Sequence, residues 1–243
     1  MYGYRARIGL IVPASNTTCE PEIATLCPEG VATYGSRIVL NKTVHRLWDM
    51  KKEAGRASLE LSSEGICQII AFCCTGGSMV GGANYDKEII DLIEKETNTP
   101  AITTATAVKA AFDALQVKKI AIATPYSRET NQYVREFLEG SGYRITEMRG
   151  VHEHLSMTET NNVMIGRLLP ESAYEIGLKV NGKENEAIFI SCTNFRTIEI
   201  IQTLEEKTSK PVVTSNQATL WYALRKLGLK DEIKGYGRLL ECY

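Results

Sequence analysis

Short apolar segments alternate along the chain with longer amphipathic ones. Six apolar segments of four to six residues have the length of buried strands: RIGLIV (7–12), CQIIAF (67–72), PAIT (100–103), KIAIAT (119–124), EAIFIS (186–191) and PVVT (211–214). Several are apolar throughout, which is typical of parallel strands that are covered on both faces. The pattern therefore predicts parallel sheet structure flanked by helices.

The amphipathic segments predict helices at 49–65, 85–97, 127–142, 196–208 and 217–228. In the second of these segments Ile89, Ile90 and Ile93 lie on one face, and the charged residues lie elsewhere. Alternation of strands and helices is typical of α/β proteins with right-handed crossovers.

The chain also repeats itself. RIGLIVPAS (7–15) resembles KIAIATPYS (119–127), IIAFCCT (69–75) resembles AIFISCT (187–193), and PAITTATA (100–107) resembles PVVTSNQA (211–218). The offsets are 112, 118 and 111 residues, and the polar residues at the strand ends match as well as the apolar ones. We therefore predict two similar α/β halves with parallel sheets, facing each other across a pseudo-twofold axis. One lobe would comprise residues 1–115 plus 217–243, and the other residues 116–216.

Polar residues follow the predicted strands, and ligands of parallel α/β sheets bind beyond the carboxyl ends of strands. These residues form six groups, at 15–18, 74–78, 103–104, 126–127, 192–194 and 214–216. If the halves face each other, Cys74 and Cys192 occupy equivalent positions on opposite sides of one cleft. Such a pair suits chemistry in which a carbon is attacked or deprotonated from one face and protonated from the other.

The polar residues around the two cysteines are mostly neutral, and backbone N–H groups at strand-to-helix turns bind anions without a cationic side chain. Gly76 and Gly77 allow close approach of a ligand to the backbone, so a small carboxylate is the expected ligand. GGSMVGG (76–82) lacks the features of a nucleotide-binding loop. A thiol at a helix N-terminus is expected to have a depressed pKa, which favours the thiolate.

Other residues of reactive type are predicted to have structural roles. Cys73 and Cys67 are expected to pack in the core, and Cys19 is expected on a helix face. His152 and His154 have a spacing that can hold a metal, but no third ligand is evident. No metal site is therefore predicted.

Composition excludes several classes of protein. The 243-residue chain carries a formal net charge of −1, with no basic run that would indicate nucleic-acid binding. No apolar stretch reaches the roughly 18 residues that a membrane span needs. The first apolar run is interpreted as a strand and not as a signal peptide. The seven cysteines are odd in number and form no C-x-x-C motif, so a reducing cytoplasm is expected.

Five segments together resemble the maleate cis-trans isomerase and arylmalonate decarboxylase branch of the aspartate/glutamate racemase superfamily. They are RIGLIVPASNTTCEPE (7–22), CCTGGS (73–78), PYSRETN (125–131), FISCTNFRT (189–197) and KPVVTSNQATLWYALRKLG (210–228). The resemblance runs over nearly the whole chain. It implies two Rossmann-like halves with an active site in the cleft between them, no cofactor, and a homo-oligomer, either a dimer or a tetramer.

The resemblance also implies roles for individual residues. Cys74 would be the first catalytic cysteine and Cys192 the second. Asn16 would bind a substrate carboxylate, and Tyr126 would hydrogen-bond the substrate.

An asparagine before the Ile-Gly pair of a later helix, Asn162 or else Asn161, would help to hold the substrate. The polar neighbours Ser15, Thr75 and Thr193 complete the predicted substrate-binding set.

In maleate isomerases the first thiolate adds to the double bond, and the succinyl-cysteine adduct rotates before elimination gives fumarate. The sequence departs from these enzymes at Thr75 and Gly76, where a bulkier apolar residue often follows the first cysteine. Maleate isomerisation through a Cys74 adduct is therefore the first hypothesis. The alternative is a racemase or epimerase that uses Cys74 and Cys192 as acid and base. An arylmalonate-type decarboxylase, which needs a single cysteine, and a non-catalytic binder of small acids rank lower.

Overall fold

The computed structural model describes residues 2–39, 46–151 and 161–243, and His152 and His154 lie outside them. Within these ranges the strands form two four-stranded parallel sheets. The first has the order β2-β1-β3-β4, with β1 (Ala6–Pro13), β2 (Val31–Ile38), β3 (Ile69–Phe72) and β4 (Ala101–Thr103). The second has the order β6-β5-β7-β8, with β5 (Lys119–Thr124), β6 (Arg144–Gly150), β7 (Ala187–Ile190) and β8 (Val212–Thr214).

Helices follow the strands in both halves. Those before β5 are α1 (Cys19–Leu26), α2 (Arg46–Ser62), α3 (Thr75–Met79), α4 (Tyr85–Thr97) and α5 (Thr104–Ala114). Those after β5 are α6 (Arg128–Gly140), α7 (Asn162–Ile165), α8 (Pro170–Val180), α9 (Ile201–Thr208), α10 (Ser215–Lys226) and α11 (Arg238–Cys242). No helix in the described ranges is long and apolar enough to cross a bilayer.

The predicted α/β class and the repeat are confirmed. The paired segments of the repeat form β1 and β5, β3 and β7, and β4 and β8, and each pair occupies the same place in its own sheet. Helix α10 of the second repeat packs against α5 and α1 of the first. The lobe boundaries near residues 115 and 217 stay a prediction.

The sequence pattern did not predict β2 or β6. Each is the edge strand next to the first repeat strand of its sheet, β1 or β5. Their residues are mostly half-buried or exposed, so neither strand has the continuous apolar run of a covered strand. The predicted helix at 196–208 was wrong at its start, because α9 begins only at Ile201. Residues 193–200 instead form a loop, which proves important for the site.

The core joins the two halves. The larger cluster of buried side chains includes residues from both sheets and from α5 and α10. In it the ring of Phe112 meets the ring of Phe189 edge-on, with centroids 5.8 Å apart. Cys19 and Cys73 pack in this cluster, and Cys67 packs in a smaller one beneath α2 and α4. The packing roles predicted for Cys67 and Cys73 are confirmed, as is the helical position of Cys19.

Candidate active site

A pocket of about 60 Å³ opens where the carboxyl ends of the two sheets face each other. Six of the eight predicted site residues line it: Cys74, Thr75, Tyr126, Asn162, Cys192 and Thr193. A pocket of this volume holds only a few water molecules, so its size suits a small organic acid. The two cysteines that the repeat places at equivalent strand ends thus share one pocket.

Cys74 follows β3 and is the N-cap of α3. Its sulfur accepts a hydrogen bond from the Gly77 N–H at 3.4 Å, and an N–H directed at sulfur stabilises the thiolate. A side chain at Gly77 would put Cβ 3.1 Å from this sulfur and 2.9 Å from Met50 Sδ. Glycine is therefore required here so that the helix can begin directly against the thiol.

Cys192 follows β7 in a different setting. It is 6% exposed, and its φ of 119° is unusual for a residue with a side chain. Its N–H donates to Ser215 Oγ at 2.9 Å. Its sulfur accepts from the Asn194 N–H at 3.4 Å. Backbone strain of this kind is held in place by surrounding contacts and is frequent at functional sites.

Burial raises the pKa of the Cys192 thiol to about 11, although hydrogen bonds from the Asn194 backbone and the Tyr126 side chain act in the opposite direction. The expectation of a depressed pKa was therefore wrong for this cysteine. The expectation applied to a thiol at a helix N-terminus, whereas the chain after Cys192 is a loop. A thiol with a raised pKa is suited to donate a proton.

The threonines that follow the two cysteines each reach the opposite half. Thr75 Oγ1 lies 2.9 Å from Ser215 Oγ. Thr193 Oγ1 donates to the carbonyl oxygen of Cys73 at 3.1 Å. These reciprocal bonds fix the distance between the two sides of the pocket.

Asn16 and Ser15 do not line the pocket but support residues that do. Asn16 is buried, and its Nδ2 donates to Thr193 Oγ1 at 3.0 Å. Its Oδ1 accepts from the N–H groups of Thr18 and Cys19. An amide nitrogen carries two hydrogens, so one is left beyond the Thr193 bond. A direct contact of Asn16 with substrate stays a prediction.

The structure separates the two asparagine candidates. Asn162 lines the pocket, and its Nδ2 donates to Ser15 Oγ at 2.7 Å. Asn161 is exposed and caps its own helix, where its Oδ1 accepts from the Met164 N–H. Asn162 is therefore the candidate ligand.

Tyr126 lies on the pocket wall with little exposed surface. Burial, followed by the nearby Cys192, raises the pKa of its hydroxyl well above the usual value. The phenol consequently remains protonated and can donate a hydrogen bond to an anion.

The lining residues within the described ranges include no lysine, arginine or histidine. A bound carboxylate would therefore rely on O–H and N–H donors, as the sequence predicted. The same ranges contain no group of three potential metal ligands.

Sequence reasoning missed several residues around the pocket. Leu47 and Ile165 form an apolar part of its wall, and nothing in their local pattern marks them. Ser215 lay within a marked strand-end group but was not selected. Its alignment with Thr104 in the repeat, at the N-terminus of the equivalent helix, was the available signal.

Fold and site together define an α/β protein of two repeated halves with paired cysteines in one pocket. The family model described as arylmalonate decarboxylase (Amdase) matches residues 8–240, and the chain belongs to this family.

Individual relatives agree in length as well as in fold. The chain is 28% identical over 249 aligned residues to a maleate isomerase of Geobacillus stearothermophilus, with 96% of each chain covered. The crystal structure of the maleate isomerase Iso from Pseudomonas putida S16 superposes with a TM-score of 0.89, at 27% identity and with 98% of each chain covered. A Nocardia farcinica maleate cis-trans isomerase mutant with a covalently bound succinylcysteine intermediate shares the fold, with a TM-score of 0.88 at 23% identity and 97% and 98% coverage.

Proposed function

We propose that this protein is a cysteine-dependent isomerase that converts maleate, or a closely related small dicarboxylate, to the trans isomer. The observation that carries the proposal is the pairing of Cys74 and Cys192 in one small pocket, in unlike environments. Full-length similarity to maleate isomerases supports the choice of substrate.

The first step is addition of the Cys74 thiolate to one carbon of the double bond. A carbon–sulfur bond forms, and the π electrons move to the neighbouring carbon and its carboxylate. The Cys192 thiol then gives its proton to that carbon, because burial keeps it protonated. The result is a succinyl group on Cys74, which has a single bond where the double bond was.

Rotation about that single bond exchanges the cis arrangement for the trans one. The Cys192 thiolate next removes a proton from the adduct, the carbon–sulfur bond breaks, and the Cys74 thiolate is restored. Nothing is oxidised or consumed in this cycle, so we propose that the enzyme works without a cofactor. The carbanionic intermediate is stabilised by neutral donors, of which the protonated Tyr126 hydroxyl is one.

The two carboxylates would be bound by the remaining polar residues of the pocket. Thr75, Thr193 and Asn162 line it directly. Ser15 orients Asn162, and Asn16 orients Thr193. Neutral donors bind an anion less strongly than a cationic side chain does. One carboxylate can therefore change position while the adduct rotates.

We further propose a cytoplasmic homo-oligomer, either a dimer or a tetramer. None of the seven cysteines, all of which lie in the described ranges, forms a disulfide, which supports a reducing compartment. Size-exclusion chromatography with light scattering measures the oligomeric state, and a monomeric mass would contradict this part of the proposal.

The test of the proposed reaction is incubation with maleate in deuterated water under reducing conditions, followed by proton NMR. Wild type is expected to form fumarate, whereas Cys74→Ser and Cys192→Ser are not. Cys242→Ser is the matched control, since Cys242 is exposed and outside the pocket. Absence of fumarate with wild type would contradict maleate as substrate.

Incubation in deuterated water also distinguishes the competing reactions. Both cysteines face one pocket, which a racemase also requires. Deuterium entering the α-carbon of an amino acid or hydroxy acid would indicate a racemase. Loss of carbon dioxide from substituted malonates would indicate a decarboxylase.

A further inference from the structure

Glu22 is a buried carboxylate on α1 that the proposed mechanism does not use. It is 4% exposed, and it forms no ion pair within residues 2–39, 46–151 and 161–243. Its Oε1 accepts from the N–H groups of Thr197 at 2.5 Å and Ile198 at 3.1 Å. Its Oε2 accepts from Asn216 Nδ2 at 2.7 Å. All these donors belong to the opposite half, so the contacts are made across the interface.

The bonds of Glu22 reach both ends of the loop that follows Cys192. At the far end they are direct, to Thr197 and Ile198. At the near end they pass through Asn216, whose Nδ2 also donates to the Thr193 carbonyl oxygen at 3.0 Å. Between these two anchors lies Asn194, whose N–H donates to the Cys192 sulfur.

We propose that Glu22 is a positioning residue for Cys192, and that its carboxylate holds the 193–198 loop so that the sulfur stays covered and oriented. The role of the sulfur as proton carrier rests on the proposed function; the positioning of the loop does not. Glu22 does not line the active-site pocket or touch a reacting atom, so it acts on Cys192 through the loop and, at a distance, through its charge, which helps to raise the pKa of the Cys192 thiol.

The charge state of Glu22 matters to this arrangement. Every group that contacts it in the described part of the chain is an N–H donor, which suits the ionised carboxylate that prevails above its pKa of about 7. The neighbouring Glu199 is itself paired with Arg196, at 2.6 Å from Nε to Oε1. Replacing Glu22 with Gln would set its amide against the Asn216 amide. Asn216 would then have to turn, and its bond to the Thr193 carbonyl would be lost.

Alkylation of Cys192 tests the proposal without any substrate. Every protein carries Cys74→Ser, so that the more exposed thiol does not react first. Iodoacetamide is added, and the rates at Cys192 and Cys67 are followed by mass spectrometry of tryptic peptides. Cys67 is a matched internal reference, because burial raises the pKa of both thiols to about 11. Its rate reports opening of the whole fold.

In Glu22→Gln we expect Cys192 to react about tenfold faster, with the rate at Cys67 unchanged, since one or more charge-assisted bonds of the loop are lost. The control is Glu205→Gln. Glu205 is also buried, at 6% exposed, and also accepts backbone N–H bonds, from Val212 and Arg238, but it lies away from the pocket. This control should leave the Cys192 rate unchanged.

An unchanged rate at Cys192 in Glu22→Gln would overturn the proposal. A parallel rise at Cys67 would also overturn it, because it would show a role in overall stability only. If Glu22→Gln does not fold, Asn216→Ala keeps the Glu22 carboxylate and its bonds to Thr197 and Ile198 but removes the anchor at Thr193 together with the bond to Glu22 Oε2, and the same selective rise is expected. Failure of maleate turnover in wild type would leave this alkylation result standing, so the two proposals fail separately.

If maleate is the substrate, steady-state kinetics provide a second test of the positioning of Cys192 by Glu22. Glu22→Gln is then expected to lower kcat about tenfold with a smaller change in KM, because the proton carrier is displaced while Thr75 and Asn162, which lie outside the loop, remain to bind carboxylate. A rise in KM at constant kcat would contradict positioning of Cys192.

Discussion

Cys192 and Ser215 are joined by a hydrogen bond of 2.9 Å from the Cys192 N–H to Ser215 Oγ. The φ of 119° at Cys192 places this residue in strained backbone, which costs about 1–3 kcal/mol. Ser215 Oγ is also 2.9 Å from Thr75 Oγ1, beside the other cysteine. The serine thus connects the strained backbone on one side of the pocket with the threonine on the other.

Ser215→Ala leaves the Cys192 N–H buried without this acceptor. We expect a loss of about 1–3 kcal/mol in the free energy of unfolding and a fall in kcat of about tenfold, because Cys192 moves relative to Cys74. Urea denaturation and steady-state kinetics measure the two effects. Ser58→Ala is the matched control, since Ser58 is equally buried and bonds only within α2. Equal turnover in wild type and Ser215→Ala would contradict this role.

The stability of the protein should depend on Glu22 near neutral pH. Burial raises the pKa of Glu22 from an ordinary value of 4.5 to about 7. Between these values the folded protein binds a proton that the unfolded chain releases, so the free energy of unfolding falls as pH rises. The contribution is complete below the lower value and lost above the higher one.

The measurement is urea denaturation of wild type and Glu22→Gln from about pH 5 to pH 8. Wild type should lose stability relative to the variant by up to about 1.4 kcal/mol per pH unit, and the difference should level off above the higher pKa. Parallel curves for the two proteins would show that Glu22 does not titrate in this range.

Tyr126→Phe removes one hydroxyl and keeps the ring that packs in the core. Since the raised pKa keeps this hydroxyl protonated, it can turn its one hydrogen from the Cys192 sulfur to the developing anion. We expect kcat to fall between about tenfold and a hundredfold, with a small change in stability. Tyr133→Phe is the control, because its hydroxyl bonds to Glu129 on the surface. A Tyr126→Phe enzyme with wild-type kcat would rule out this donor.

Adjacent glycines of the first cysteine motif should respond differently to alanine. At Gly77 the new Cβ would lie 3.1 Å from the Cys74 sulfur, so Gly77→Ala should displace the sulfur and abolish turnover.

At Gly76 the nearest atoms are at 3.4 Å on Thr130 and 3.5 Å on Leu47, which are ordinary contacts. Gly76→Ala should fold normally and narrow the pocket. Its KM should rise more for bulkier acids than for maleate, and an equal rise for all acids would contradict this view of the pocket wall.

The fold was predictable where the chain repeats itself. Paired segments with matching polar ends identified three of the four strands in each sheet, because covered strands carry continuous apolar runs. The outer strands β2 and β6 were missed, since each exposes part of its length. Residues 196–200 were predicted as the start of a helix but belong to the loop at 193–200. The contacts that hold it, from Glu22 and Asn216, come from distant parts of the chain.

The site was predictable to the level of residue type and position. Strand-end placement identified both cysteines, and the structure brings them to one pocket. Their unlike environments could not be foreseen, because the pKa of Cys192 depends on tertiary burial. Glu22 was equally hidden, since its importance lies in which backbone groups it meets after folding.

The division of roles between Cys74 and Cys192 is tested most directly by the mass of the Cys192→Ser protein after exposure to maleate. If Cys74 is the nucleophile and Cys192 the proton carrier, solvent has to protonate the carbanion in Cys192→Ser, and no thiolate is present to start elimination. An adduct with the mass of one added dicarboxylic acid should then accumulate, and tryptic peptides should place it on Cys74. Cys74→Ser should show no adduct under the same conditions. An adduct on Cys192 in the Cys74→Ser protein, or full turnover by Cys192→Ser, would contradict the division of roles between the two cysteines.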